Sequence, residues 1–176
     1  MKKMLILVAA AAMFAACNHS SQEPTRDQLA ATIDSIESAI ATAVQVESID
    51  TTEGNNIITL YLEFADTYPT DSLAPFCLHH AAQVANGLDR IDDMVTYYNR
   101  VIDNYPDYAK LDECYYEKGI ALDNADRKDE ARKAYQEFLE KYPDHFLTDD
   151  IRGAISLLDF SDEMLIEYFK QKNADQ

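Results

Sequence analysis

The dipeptide Tyr-Pro recurs at Tyr68-Pro69, Tyr105-Pro106 and Tyr142-Pro143, 37 residues apart each time. A fixed period of this size restricts a chain to an array of similar units, each burying its apolar face against the next. The segments that end on the dipeptide, IITLYLEFADTYP, MVTYYNRVIDNYP and ARKAYQEFLEKYP, align without a gap. Their apolar residues advance by three, one, three, one and three. In the first copy these are Ile57, Leu60, Tyr61, Phe64, Ala65 and Tyr68; in the third, Ala131, Ala134, Tyr135, Phe138, Leu139 and Tyr142. That stepping marks one face of a helix. A proline disfavours helical backbone in the residue before it, so each helix should stop at its Tyr-Pro.

A second helix precedes two of these copies. LAPFCLHHAAQVANGLDRIDD and KLDECYYEKGIALDNADRKDE match at the same period, setting Ala74, Cys77, Leu78, Ala82 and Ala85 against Leu111, Cys114, Tyr115, Gly119 and Leu122. The connecting stretches predict tight turns, with Gly87 or Asn124 in left-handed backbone and Asp89 or Asp126 capping the next helix. Each unit therefore reads as helix, short turn, helix, Tyr-Pro bend. These units resemble the tetratricopeptide repeat. Residues 112 to 143 carry its pattern best: Tyr115 in the aromatic slot, Gly119 at the close approach of the two helices, Ala131 and Tyr135 on the second helix, and Pro143 at the exit. The preceding copy offers Leu78, Ala82, Met94, Tyr98 and Pro106. The period exceeds the family's usual length of about 34 residues and is similar to a longer variety found in cell-envelope lipoproteins. The resemblance implies an all-α, right-handed solenoid of antiparallel helix pairs that binds a protein or peptide and needs no cofactor.

The flanks extend the array. Thr25 and Gln28 form a capping-box pair after Pro24, opening a helix whose stripe is Leu29, Ile33, Ile36, Ile40 and Ala43. Its main expected use is packing against the first repeat; self-association through residues 29–43 is the other. At the far end, Ile151, Ala154, Ile155 and Leu158 make one stripe, and Met164, Leu165, Tyr168 and Phe169 another. Both are expected to have drifted from the repeat register, as a terminal cap does. The helical domain is thus expected over residues 25–170, followed by a tail at 171–176.

The beginning of the chain reads differently. Lys2 and Lys3 precede an unbroken apolar run over residues 4–16. The run falls short of the roughly 20 residues that span a bilayer as a helix, and a basic start before a short apolar core reads as an export signal. Ala15, Ala16 and Cys17 resemble the lipobox of bacterial lipoproteins, with Phe14 where that pattern prefers leucine. The resemblance implies removal of residues 1–16, lipidation of Cys17, and a polar tether over residues 17–24. Two or more acyl chains hold a protein on a membrane where one holds it marginally. The expected location is the bacterial cell envelope, anchored at the outer membrane and facing the periplasm.

Charge and motifs narrow the function. A formal charge of −17 argues against nucleic acid, whose binding depends on neutralising phosphates. The chain shows no glycine-rich phosphate loop, zinc-hydrolase signature or nucleophile motif, so no catalytic, cofactor or metal residues are expected. His79 and His80 point to different sides of their helix and lack a histidine partner at helical spacing. Cys77 and Cys114 share a repeat position and read as small core residues, with a disulfide requiring favourable offsets. Tyr98 and Tyr135 read as core. Tyr116 follows Tyr115 and should face another side of the helix. It is the leading partner-binding candidate, with Asn86, Asp123 and Asn124 near the turns supplying polar contacts. The expected function is a membrane-tethered periplasmic scaffold binding a protein or peptide partner in envelope assembly or maintenance. The alternatives are a glycan or small-molecule binding module and a self-associating structural subunit.

Overall fold

The computed structural model describes residues 24–42 and 50–174. The apolar leader 1–16, Cys17, the tether up to residue 23 and the final two tail residues lie outside the described residues. Among the described residues eight helices follow one another: α1 (Arg26–Thr42), α2 (Thr51–Thr67), α3 (Ala74–Gly87), α4 (Ile91–Asn104), α5 (Leu111–Asn124), α6 (Lys128–Lys141), α7 (Thr148–Leu157) and α8 (Asp162–Ala174). They form an all-α solenoid of paired antiparallel helices. Neighbours in sequence pack against each other from α1 through α7. Among the described residues, no helix is long and apolar enough to cross a membrane. Helix α8 continues to Ala174, past the boundary at 170 expected from the sequence.

The 37-residue period governs the backbone. Helices α2, α4 and α6 end at the C-caps Tyr68, Tyr105 and Tyr142, one residue before each proline. The bends then repeat the same two hydrogen bonds: Asp71 and Ala74, Tyr108 and Leu111, and His145 and Thr148 donate their backbone N–H groups in matching steps. The third bend launches α7 in register, a correction to the expected drift. Thr148, Ile151 and Leu158 are buried at the positions of Leu111, Cys114 and Ala121. What changes is length, since α7 has 10 residues where α5 has 14.

Tyr61, Phe64, Leu78, Met94, Val101, Tyr135 and Phe138 are fully enclosed along the stack. Burying a large apolar side chain contributes about 1.5–3 kcal/mol, so these residues bind each pair to its neighbours. Cys77 and Cys114 are buried free thiols. Burial pushes the Cys77 thiol up to about 12, which keeps it protonated and unreactive.

Helix α1 opens with the expected reciprocal cap. The Thr25 N–H donates to Oε1 of Gln28 at 2.9 Å, and the Gln28 N–H donates to Oγ1 of Thr25 at 3.4 Å. Leu29, Ala30 and Ile33 then enter the core, where α1 packs on α2. The stripe considered for self-association is therefore used inside the chain. Ile40 is its exposed remnant, and residue 43 lies outside the described residues.

The turns inside the pairs differ from expectation. Gly87 and Asn124 are the last helical residues of α3 and α5; Asp89 and Asp126 adopt the left-handed conformation, with φ of 58° and 56°. The Arg90 N–H reaches back to the Ala85 carbonyl at 2.8 Å and the Asp89 N–H to the Asn86 carbonyl at 3.0 Å. Arg127 and Asp126 repeat this on Leu122 and Asp123. These paired bonds form a Schellman closure. The left-handed residue is set by its place after the last carbonyls, two residues beyond Gly87 and Asn124. The next helices start from Arg90 and Arg127 without a side-chain cap.

Candidate functional site

On α5, Glu113, Tyr116 and Glu117 are half-buried and Ile120 and Asn124 exposed along one side of the helix. Ile120 is 45% exposed in their midst. One period earlier, α3 offers Phe76, His79, His80, Gln83 and Gly87 at the same positions. The two helices thus share one face, aromatic and polar on α3, acidic and aromatic on α5.

The seam between them is closed by a hydrogen-bonded network. Nε2 of His79 lies 2.9 Å from Oε2 of Glu117, and Nδ1 lies 3.2 Å from the Tyr108 hydroxyl. With Nε2 donating to the carboxylate, Nδ1 accepts from the phenol. The Tyr98 hydroxyl donates to the same Glu117 oxygen at 2.8 Å, and Gln83 donates to both Glu117 oxygens. Burial works against the Glu117 charge, but the hydrogen bonds from His79, Tyr98 and Gln83 outweigh it and hold its carboxyl below the usual range. Burial and the adjacent Glu117 raise the Tyr98 phenol, which therefore remains a donor.

A related set joins α1 to α3. Nδ1 of His80 lies 3.0 Å from Oε1 of Glu37, which also accepts from the Tyr61 hydroxyl. Burial lowers the His80 pKa against the opposing pull of Glu37. Tyr61, Tyr98 and Tyr135, equivalent by period, thus each donate to an acid: Glu37, Glu117 and Asp123. The sequence identified the rings as packing residues and missed the hydroxyl partners, because each acid lies on a different helix from its tyrosine.

The sequence-derived candidates are spread along this face. Tyr116 is half-buried, its ring edge-on to Phe138 at 6.3 Å between centroids. Asn86 and Asn124 are exposed near the ends of α3 and α5. Asp123 is half-buried and accepts from the Tyr135 hydroxyl at 3.3 Å. Tyr116 and Asn124 are separated by eight residues of α5, about 12 Å along its axis. The two therefore sit at different levels of the helix rather than at one point.

A groove of about 710 Å³ lies elsewhere, between α4, α5 and α6, with Val95, Asn99, Tyr115, Lys118, Glu137 and Lys141 on its walls. Lys118 is buried there and donates to Asn99 at 3.1 Å and Glu137 at 3.2 Å. The ammonium groups of Lys118 and Lys141 lie 5.8 and 5.9 Å from the Tyr115 ring centre, within range of a cation–π attraction. Beside the groove, Arg90 reaches back to Asn55, and Arg127 reaches back to Asp92 at 2.6 Å. The two contacts are the same joint repeated one period later.

The stacking also brings together three residues that could hold a metal ion, a grouping not foreseen from the sequence. His79, Glu113 and Glu117 present one ligand atom each, all within 4.8 Å of one another. Their sequence separation concealed this.

The tetratricopeptide repeat model aligns with residues 77–108 and 113–145, which cover α3–α4 and α5–α6 with the bends that follow them. Those segments carry a non-catalytic repeat whose general use is protein interaction. No curated protein matches the chain.

Proposed function

We propose that this chain is a lipid-tethered scaffold of the bacterial cell envelope, held at the outer membrane on its periplasmic side through Cys17. Its repeats bind a protein or peptide partner in envelope assembly or maintenance. The observation that carries the reading is the α3–α5 face. There Tyr116 and Ile120 offer apolar contact among Glu113, Glu117 and Asn124, on a repeat whose general use is protein interaction. Tyrosine supplies contact area with a hydroxyl at low entropic cost. The acidic charge of the whole chain favours a basic or neutral segment over an acidic one. The lipobox-like Ala15-Ala16-Cys17 supports the tether.

Two experiments test the halves separately. Mass analysis of the mature N-terminus should find acylated Cys17, and Cys17→Ser should release the protein from the membrane fraction. An unmodified Cys17 or a different terminus would remove the anchor. For the partner, Ile120→Asp should reduce recovery of co-purifying protein with an unchanged melting temperature, because Ile120 is exposed. Tyr116→Ala should reduce recovery with a small loss of stability from its contact with Phe138. Partner recovery indifferent to both changes would exclude this face.

A further inference from the structure

The α3–α5 seam also assembles ligands that no contiguous motif contains. Glu113 and Glu117 stand one turn apart on α5, so both carboxylates leave the same side of the helix. His79 approaches from α3 with its ring fully buried and Nε2 directed at Glu117. The three ligand atoms lie within 4.8 Å of one another. Ligands bound at about 2.0–2.2 Å to a tetrahedral ion stand roughly 3.3–3.6 Å apart, so the His79–Glu117 pair, now 2.9 Å apart, must open by a few tenths of an ångström while the Glu113 side chain turns toward it.

The surroundings are those of a ligating group. Tyr108 fixes the far nitrogen of the His79 ring, while Tyr98 and Gln83 fix the Glu117 carboxylate. Such outer contacts orient metal ligands and sustain affinity. We propose that His79, Glu113 and Glu117 bind one divalent transition-metal ion of the zinc class on the α3–α5 face. One imidazole with two carboxylates suits zinc, whereas calcium and magnesium favour oxygen-only sets. The two carboxylates balance the ion's charge.

Binding requires a tautomer shift with no net proton release. Nε2 of His79 gives its hydrogen to solvent while Nδ1 takes one up, so Nε2 offers its lone pair to the ion and the Nδ1 hydrogen is donated to the Tyr108 oxygen, whose own hydroxyl hydrogen turns away. Lys110, now 3.1 Å from Glu113 and about half exposed, releases that carboxylate and turns to water. His80 pairs with Glu37 and stays outside the set. Three protein ligands leave a tetrahedral ion one free position.

The test uses the full-length chain, stripped with a chelator and titrated calorimetrically with zinc chloride, with excess magnesium or calcium chloride as competitor. The expected result is zinc binding that neither competitor displaces. Glu113→Gln should weaken it at least tenfold, with little change in the metal-free melting temperature because its ion pair is with the half-exposed Lys110. His79→Gln should weaken it similarly. X-ray absorption of the zinc-loaded protein should show an imidazole nitrogen among oxygen neighbours. Failure to bind zinc overturns the site. So does unchanged binding in Glu113→Gln, which would assign the metal to other groups such as His145 and Asp112. Partner recovery by the chelated protein is scored separately, so a failed metal site leaves the scaffold reading standing.

Discussion

A β-carbon placed on Gly119 would lie 2.5 Å from both Cδ1 and Cε1 of Tyr135, a ring that is itself buried. Alanine there gains roughly 1 kcal/mol of helix propensity, but overpacking costs about 1–3 kcal/mol. We expect Gly119→Ala to lower unfolding stability by about 1 kcal/mol and Gly119→Leu to lower it further, measured by denaturant titration. This close approach was legible because Gly119 occupies a repeat position. Gly54, whose added β-carbon would stand 2.8 Å from Cδ1 of Leu88, was not legible, since its counterparts are Ile91 and Lys128. Glu117 supports a second prediction. Its folded pKa is depressed, so its contribution to stability is present above the unfolded carboxylate pKa and is lost as pH falls through the folded value. Glu117→Gln should therefore flatten the acid limb of the stability–pH profile, as followed by melting temperature. An acid limb as steep as that of the native chain would show that the Glu117 charge is not coupled to folding.

At the scale of the helix and its turn, Asp89 and Asp126 occupy backbone that costs an L-residue roughly 1–2 kcal/mol. Glycine meets no such penalty. Asp126→Gly should stabilise the chain by about 1 kcal/mol, and Asp126→Val should destabilise it by at least as much, both read from denaturant midpoints. The exposed contact of Asp126 with Lys128, 3.5 Å long, contributes little to either result. The sequence located these turns correctly and chose the wrong residue within them. Residue type pointed to Gly87 and Asn124, but position after the last helical carbonyls decides which residue turns. Helix α7 escaped recognition as a register-keeping element for a similar reason. Thr148 and Ile151 replace Leu111 and Cys114, so chemical identity is lost while burial persists.

Across the whole molecule, stability is expected to follow nearest neighbours, as in other stacked arrays. Met164, Ile166 and Tyr168 on α8 are exposed, whereas Ile151 and Leu158 beside α6 are buried. Deleting residues 162–176 should leave the denaturation midpoint nearly unchanged, while deletion from 148 onward should lower it clearly. Equal losses would mean that α8 is integral to the stack. The array itself was legible from period and stripe. The seam of His79 with Glu117 was not, because it joins residues that only the stacking of α3 beside α5 brings together. That asymmetry bears on how such a gene could change its copy number. Excising residues 74–110 by in-frame recombination would bring Arg127 to Asn55, the partner Arg90 now has. On the opposite seam, Glu117 would inherit the place of His80 and confront Glu37, setting one carboxylate against another. One edge of the solenoid would accept the shorter product; the other would select against it and preserve the order of the units.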